Sequence, residues 1–304
     1  MRNILCVTLI ALLGGCTSTS VTEKYQDKRN DIINVKDKVI EFETGNVLIG
    51  SVSRLYMSNK CLLIADHKSV DKQIHIFNKN DFSYLTSIGN FGEGPEEITV
   101  MGCLAIDEAH HQLYVSDHAK QKIFSYDMDS VMVDSLYKPQ VKTAMNETLF
   151  PSEYQYINDT LSIAVLIKPT STSTFNQFLG RWNMNTGEMI PMKYTHPDIQ
   201  KKRITFAASE KAGIYVECYT RHDLMTICSL DGELLYNIYG PDWDGGNGNK
   251  LQSFGTVMIG NDKIFVSYCG EDYARDSFPT KILVFDLEGN YLKTLETGYK
   301  ISDC

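Results

Sequence analysis

Apolar and polar residues alternate in short runs along most of the chain, and these runs recur in groups of four. A period of two is typical of β-strands, and the helical period of 3.6 residues is absent throughout. Five complete groups begin near Ser51, Val100, Glu153, Arg203 and Ser253, and the clearest covers residues 103–106, 112–116, 122–126 and 133–136. Because sets of four strands that recur about every 45 to 58 residues are typical of propeller blades, the pattern predicts an all-β fold, a β-propeller of four-stranded blades.

A glycine-rich joint links the first group of strands to the second, with the sequence Ile88-Gly89-Asn90-Phe91-Gly92-Glu93-Gly94-Pro95-Glu96-Glu97. Pro95 fixes its own φ and pushes Gly94 toward an extended form, so we expect a stiff, irregular loop. The joint resembles that of the TolB-like six-bladed β-propeller lipoproteins of bacterial envelopes, which often carry a Gly-Pro-x-Glu sequence after an early blade. The resemblance is closest over residues 39–101, and it implies six blades and an envelope location.

The five groups fall short of six full blades, but one further segment resembles a strand. Residues 39–45 end in Glu43-Thr44-Gly45, which matches Glu296-Thr297-Gly298 at the end of the last fourth strand. We therefore expect an N-terminal strand to close the ring, and the sequence leaves five or six blades open.

The first residues have the features of a lipoprotein signal. A basic start at Arg2 precedes an apolar stretch of roughly ten residues, which is too short to span a bilayer as a helix. Leu13-Gly14-Gly15-Cys16 resembles a lipobox, in which Cys16 receives lipid and becomes the mature N-terminus. We predict a signal peptide at residues 1–15, a flexible tether at 16–36 and a propeller at 37–304, anchored in the cell envelope on its periplasmic or outer surface. An ordinary signal peptide with an incidental cysteine is the alternative.

Charge and cysteine content narrow the choice of partner. The net charge is −9 with both signs mixed, and no basic stripe is interleaved with aromatic residues, so nucleic acid is not an expected partner. Apart from Cys6 in the predicted signal peptide and Cys16, the cysteines have a spacing that fits no zinc-binding pattern. Cys218 and Cys228 lie on successive predicted strands, where either a disulfide or two buried thiols is compatible with the pattern.

Loop lengths differ between the two ends of the predicted ring. The first-to-second and third-to-fourth turns of every blade share one end, which we call the short-turn end, and those at 158–159, 186–188 and 231–233 are tight. The remaining connections share the other end, the long-loop face, and include 138–151, 168–176, 195–202, 240–250 and 270–280. Function usually lies on loops held by a rigid scaffold, although neutral drift in loop length is the alternative. Our candidate binding residues are Phe91, Glu93, His67, His118, Arg221, His222, Trp243, Asp244, Glu271, Tyr273 and Arg275.

Candidate chemistry on this face is incomplete. His67 and His118 follow equivalent aspartates, so a metal pair is conceivable, but each Asp is better explained by bonds to backbone N–H groups in its turn, with the His exposed. The loop that starts at Asp242 resembles a calcium loop but has Gly246 and Ser253 where ligands belong. No catalytic motif is found, so we predict no catalytic residue, metal or cofactor. The expected function is binding or scaffolding of an envelope protein or glycan. A metal-assisted hydrolase or lactonase-like propeller is the alternative.

Overall fold

The computed structural model describes residues 22–134, 136–199, 202–246, 251–275 and 277–304. In these ranges the chain forms five antiparallel sheets of four consecutive strands, which we call blades 1 to 5. Two short strands precede them, β1 (Glu23–Tyr25) and β2 (Ile32–Asn34). Blade 1 contains β3 (Ser53–Met57), β4 (Cys61–Asp66), β5 (Lys72–Asn78) and β6 (Tyr84–Asn90). Blade 2 contains β7 (Met101–Asp107), β8 (Gln112–Asp117), β9 (Lys122–Asp127), helix α1 (Met128–Val133) and β10 (Gln140–Ala144).

The remaining blades repeat this order. Blade 3 contains β11 (Phe150–Asn158), β12 (Leu161–Pro169), β13 (Phe175–Trp182) and β14 (Met189–Pro191). Blade 4 contains β15 (Ile204–Ser209), β16 (Ile214–Tyr219), β17 (Leu224–Ser229) and β18 (Leu234–Tyr239). Blade 5 contains β19 (Leu251–Gly260), β20 (Lys263–Asp272), β21 (Lys281–Asp286) and β22 (Tyr291–Glu296). Single turns of 3-10 helix lie at Lys36–Lys38 and Tyr273–Arg275. The predicted β-propeller of four-stranded blades is confirmed.

Alternation along each strand determines how the blades pack. Leu113 and Val115 of β8 face blade 1, whereas Tyr114 between them faces blade 3. Similar apolar clusters join blades 3 and 4 and blades 4 and 5. Successive side chains point to opposite faces of a sheet, so a strand that is apolar at every position can supply two cores at once. This explains why the second strands of the blades are almost continuously apolar.

The C-terminal residues join blade 5 to blade 1. The Asp303 carboxylate accepts hydrogen bonds from the Leu55 N–H on β3 and from the Thr256 hydroxyl on β19, both at 2.7 Å. Upstream, the Ile301 N–H donates to the Pro279 carbonyl at 2.8 Å. Residues 297–304 therefore cross the long-loop face from the outer edge of blade 5 to the first strands of both blades.

The N-terminal residues form a strap over the outside of three blades. Residues 22–50, which we call the N-terminal strap, include β1, which pairs in parallel with β18, and β2, which pairs in parallel with β22. The strap then reaches blade 1, where Phe42 stacks on Phe82 with ring centroids 4.5 Å apart. Residues 23–34, expected in the tether, thus take part in two sheets.

The expected closing strand at residues 39–45 is wrong, because this segment has no strand structure. Phe42 of this segment packs against blade 1 instead, and it also meets the edge of Phe77, with ring centroids 6.1 Å apart. The similarity of Glu43-Thr44-Gly45 to the end of β22 reflects a turn, with Gly45 at a φ of 64°, and not a ladder position.

The fourth strand of blade 2 was also misplaced. Val133, expected to begin that strand, is the last residue of α1, and β10 lies inside the expected loop 138–151. Asp127 starts the helix because its carboxylate accepts a hydrogen bond from the Ser130 N–H at 2.7 Å, while Val131 is buried beneath. The short-turn end therefore has one long connection. The loop expected at 168–176 is shorter than predicted, because β12 and β13 extend into it.

The cysteines described by the structure are free thiols, which settles the alternative that the sequence left open. Register places Cys218 opposite Met225 and Cys228 opposite Tyr215, so the two sulfurs do not face each other across the ladder. Burial raises the pKa of Cys228 to about 11, so the thiol stays protonated at neutral pH.

Candidate functional site

Loops of blades 4 and 5 bring several of the candidate residues together on the long-loop face. The guanidinium carbon of Arg221, between β16 and β17, lies 3.7 Å from the centroid of the Tyr273 ring, which follows β20. Tyr273 is 48% exposed. Beside it, Arg275 Nη1 lies 3.3 Å from Glu271 Oε2. The guanidinium group of Arg221 thus contacts an exposed aromatic ring, and both residue types are common in binding surfaces.

A second set of candidate residues lies on the connection between blades 4 and 5. The Trp243 ring packs 6.0 Å from His222 and 5.0 Å from Tyr239. His222 is buried, and its Nδ1 lies 3.9 Å from Asp244 Oδ1. Burial lowers the pKa of His222, so its imidazole is neutral at pH 7. The indole is thus half-buried on a rigid base.

The calcium-like loop has a different role in the part that the structure describes. The Asp242 carboxylate accepts a hydrogen bond from the Tyr268 hydroxyl at 3.2 Å, and the Asp242 N–H donates to Asp223 Oδ2 at 3.2 Å. Asp242 therefore fastens the connection to blade 5. Residues 247–250 of this loop lie outside the described residues.

His67 and His118 lie at the long-loop end of blades 1 and 2, and both are half-buried instead of exposed as expected. His67 Nδ1 lies 3.2 Å from the Met101 carbonyl oxygen, so this nitrogen carries the proton and Nε2 has the free lone pair. Burial, with nearby Arg54, lowers the pKa of His67, while burial and the approach of His67 lower that of His118. Neither Nε2 has a hydrogen-bond partner within the described ranges.

The aspartates before these histidines do what the sequence predicted. Asp66 accepts hydrogen bonds from the N–H groups of Gly50 and Lys68, at 2.7 and 2.9 Å. Asp117 accepts from Thr99 at 2.8 Å and from Ala119 at 3.0 Å. Each carboxylate thus ties the turn after a second strand to the connection that enters the blade.

Lys120 stabilises the glycine-rich joint between blades 1 and 2 by bonding to its backbone carbonyls. Lys120 Nζ lies 2.6 Å from the Gly94 carbonyl oxygen and also contacts the carbonyls of Gly92 and Glu97. Glu97 accepts a hydrogen bond from the Gly94 N–H at 2.8 Å. Phe91 and Glu93 project from this joint and are exposed. The candidate residues therefore form two groups, one on blades 4 and 5 and one on blades 1 and 2.

A buried ion pair between the N-terminal strap and blade 4 was missed. Arg29 Nη1 lies 2.8 Å from Asp223 Oδ1, with side chains 8% and 0% exposed. Burial raises the pKa of Asp223, and the charge of Arg29 opposes this rise. A Cβ at Gly240 would lie 2.1 Å from the Asp223 carboxylate, so only glycine fits there. Arg29 lies in a polar segment with no strand pattern, so no sequence signal indicated it.

The short-turn end carries two features that the sequence did not indicate. The first is a cavity of about 450 Å³ between blades 1 and 2, bounded by α1. The second is the group Asp107, His110 and Asp159, whose possible metal-ligand atoms lie within 4.8 Å of one another. His110 Nδ1 lies 2.8 Å from Asp107 Oδ2, and this contact raises the pKa of His110. The Tyr114 hydroxyl also donates to Asp107, so this carboxylate already has protein partners.

These sheets and loops define a β-propeller of four-stranded blades. The chain belongs to the DUF5128 family, described as a 6-bladed beta-propeller, whose model matches residues 17–178, just over half of the chain. The structure has five such sheets in the residues that it describes, so the number of blades differs from the family description.

Solved structures share this fold. A Bacteroides fragilis protein described as exported has a TM-score of 0.56 at 14% identity, over 91% of this chain and 80% of that chain. A DUF4221 family member from Bacteroides vulgatus has a TM-score of 0.54 at 11% identity, over 80% of each chain. A chain of the nidogen/laminin complex has a TM-score of 0.51 at 11% identity, over 83% of this chain and 85% of that chain. At these identities the likeness shows the fold alone. No curated protein matches the chain.

Helices of membrane-spanning length and hydropathy are not found in the described ranges.

Proposed function

We propose that this protein is a lipid-anchored binding module of a bacterial cell envelope, and that its long-loop face takes a protein or glycan partner. The observation that carries the proposal is the Arg221–Tyr273 stack, which brings together side chains from two blades. Arg and aromatic residues on a rigid base dominate the binding energy of many interfaces. Phe91 and Phe175, which are also exposed at this end, extend the apolar surface to blades 1 and 3.

The direction of the N-terminal strap supports this choice of face. β1 runs parallel to β18, which leads from the short-turn end toward the long-loop face, so the chain approaches Glu23 from the short-turn side. Only about six residues separate Cys16 from Thr22, a reach of roughly 20 Å when fully extended. A lipid on Cys16 would hold the short-turn end toward the membrane and leave the long-loop face accessible. The signal peptide at 1–15 and Cys16 lie outside the described residues.

The same proposal includes that this protein is a TolB-like propeller with six blades. It is supported by the Gly-rich joint, by the family description and by the exported Bacteroides fragilis neighbour. A sixth blade would have to lie between blades 5 and 1, where no apolar cluster joins the sheets in the described part of the chain. An experimental structure in which these two blades pack directly would contradict this part.

Partner capture tests the binding face. Envelope extracts and a glycan panel are applied to the wild type, to Tyr273→Ala and to Trp243→Ala, with Glu188→Ala and Glu288→Ala on the short-turn end as controls. Both Tyr273→Ala and Trp243→Ala should lose capture, because truncating an interface aromatic typically costs about 2 kcal/mol of binding or more. Tyr273→Ala should leave the melting temperature nearly unchanged, whereas Trp243→Ala should also lower it, because Trp243 packs against the cluster between blades 3 and 4. Loss of capture in the two controls alone would show that the wrong face was chosen.

Fractionation tests the anchor separately. Cys16→Ser should release the protein from membranes or block its processing, since acylation contributes roughly 0.8 kcal/mol of membrane binding per buried methylene. A wild type found entirely outside the membrane fraction would rule out the lipid.

One observation favours a second candidate, a metal-assisted hydrolase or lactonase. His67 and His118 are both neutral, both have an unpartnered Nε2, and both interact electrostatically with Glu153. The competing charge of Arg54, whose Nη1 lies 2.7 Å from Glu153 Oε1, disfavours a cation there. Elemental analysis after dialysis tests this candidate. One equivalent of zinc in the wild type that is lost in His67→Ala would favour the enzyme. A wild type without bound metal would rule out a metal-assisted enzyme.

A further inference from the structure

The cavity between blades 1 and 2 has apolar walls built from three parts of the fold. Leu63 comes from β4 of blade 1, Leu113 from β8 of blade 2, and Met128 and Met132 from α1. Leu85 of β6 completes the mouth and is 43% exposed. A volume of about 450 Å³ lies within the range of roughly 300–1,000 Å³ that is usual for small-molecule sites.

Helix α1 forms the outer wall and is an insertion that blade formation does not need. The third-to-fourth connections of blades 1, 3, 4 and 5 are short turns, whereas blade 2 has this helix at the same place. Methionine side chains are flexible and polarizable, so Met128 and Met132 can adjust to the shape of a guest. The insertion thus converts a tight turn into one side of an apolar site.

The charges at the cavity mouth determine which guest fits. Each acidic group already has a partner: Asp107 bonds to His110, Glu108 accepts from the Asn59 N–H at 2.6 Å, and Asp129 Oδ2 lies 2.8 Å from His111 Nδ1. Lys60 differs, because within the described ranges no carboxylate lies at ion-pair distance from its ammonium group. Of the described residues that line the cavity, Lys60 is the one lysine or arginine, so an anionic group on a guest would pair with its ammonium group.

We infer that the cavity binds a small amphiphile with an apolar chain and a carboxylate, such as a medium-chain fatty acid. The chain lies between Leu63, Leu113 and the two methionines, and the carboxylate meets Lys60. This site is at the short-turn end, so it is independent of the partner-binding face proposed above, and either can fail without the other.

Calorimetry with a defined ligand series tests the inference. The full chain is titrated with hexanoate, decanoate, 1-decanol and decylamine, with Cys16→Ser in every sample so that no detergent competes. Decanoate should bind with one-to-one stoichiometry. Its affinity should exceed that of hexanoate by up to about fourfold for each added methylene, because each one buries further apolar surface. Decylamine should bind more weakly than decanoate, since Lys60 repels it.

Two substitutions separate the charge from the cavity. Lys60→Met should weaken decanoate about tenfold or more and leave 1-decanol unchanged, because a bond to a charged group is lost. Met132→Trp and, independently, Leu85→Trp should weaken both ligands by filling the mouth. Lys211→Met is the matched control, since Lys211 lies on the equivalent turn of blade 4 and pairs with Asp262.

Several results would overturn the inference. These are the absence of decanoate binding to the folded wild type, decanoate affinity unchanged in Lys60→Met, or decylamine bound as tightly as decanoate. If both tryptophan variants bind decanoate as tightly as the wild type and have the same melting temperature, the ligand lies elsewhere.

Discussion

The interfaces between consecutive blades and the seam between blade 5 and blade 1 are held by different kinds of contact. Blades 1 to 5 are joined pairwise by apolar clusters to which second and third strands contribute. At the seam the described residues show polar contacts of Asp303 instead, and Leu55 and Met57 of β3 remain exposed. The repeated pattern thus encodes the interfaces, while the seam depends on terminal segments that occur once.

The difference extends to the free face of blade 1. Leu62 and Ile64 point away from blade 2, and Ile49 of the N-terminal strap packs against them. The strap is itself pinned to blade 4 by Arg29, through the ion pair with Asp223. Terminal segments therefore substitute for a neighbouring blade, and they do so with a few polar anchors.

The largest effect should come from the repeated interfaces. Phe124→Ala removes a side chain that is 1% exposed in the cluster between blades 1 and 2. It should lower the free energy of unfolding by about 3–5 kcal/mol, the usual cost of a large core cavity. Urea unfolding measures this, with exposed Tyr84→Ala as control. A loss no greater than that of the control would mean that this interface is not a tight core.

Breaking the anchor of the strap should cost nearly as much. Arg29→Met leaves the Asp223 carboxylate buried and unpaired, and loss of one partner of a buried pair costs about 3–5 kcal/mol. Asp223 can relieve part of this cost by taking up a proton, so we expect the lower end of that range. The neighbouring Lys28→Met is the control, because Lys28 is exposed. Equal urea midpoints for the two variants would show that the strap is dispensable.

The seam should respond more weakly. Asp303→Asn removes the charge that strengthens two hydrogen bonds and should cost about 1–2 kcal/mol. Limited proteolysis should then cleave the C-terminal residues faster. The control is Asp37→Asn, because Asp37 is exposed. Asp286→Asn would not serve, because it would also change the turn that Asp286 stabilises. Unchanged stability and unchanged cleavage would show that Asp303 does not close the ring.

The smallest effect is a pH dependence centred on the strap. His196 is buried, accepts a hydrogen bond from the Asp198 N–H through Nδ1, and contacts the Tyr239 hydroxyl through Nε2 at 2.9 Å. Tyr239 in turn donates to Glu23 of β1. Burial lowers the pKa of His196, so the unfolded chain takes up the proton first as the pH falls below about 6.5.

Stability should therefore be complete above about pH 6.5 and decline below it. His196→Gln should reduce this slope between about pH 7 and pH 5.5 without removing it, because His67, His75, His118 and His222 also have lowered pKa values. Urea unfolding at both pH values measures the change. A slope equal to that of the wild type would exclude His196 as a contributor.

Sequence patterns predicted what depends on local periodicity. The recurring groups of four short strand patterns indicated the blades, and the Gly-containing turns indicated the short-turn end. The strap was not predictable, because β1 and β2 have only three residues each and pair with strands more than two hundred residues away. Helix α1 was missed because its last residue, Val133, was predicted to begin the fourth strand of blade 2.

The candidate site was predictable only in outline. Up-and-down topology was enough to place the candidate loops at one end of the ring. Which side chains meet depends on the packing of neighbouring blades, so the stack of Arg221 on Tyr273 had no signature in the sequence. The cavity at the other end was missed for the same reason, since its walls come from two blades and an unexpected helix.

The position of the strap has a consequence for the order of folding. Glu23 bonds to Asn237 and the Asp31 carbonyl accepts from Tyr291, contacts that span 214 and 260 residues. Contacts at such separations form late, because a long loop must be closed before they contribute. The segment that is synthesised first is therefore expected to dock last, after blades 4 and 5 exist. A chain of this design therefore stays unfinished until blades 4 and 5 have been synthesised and folded.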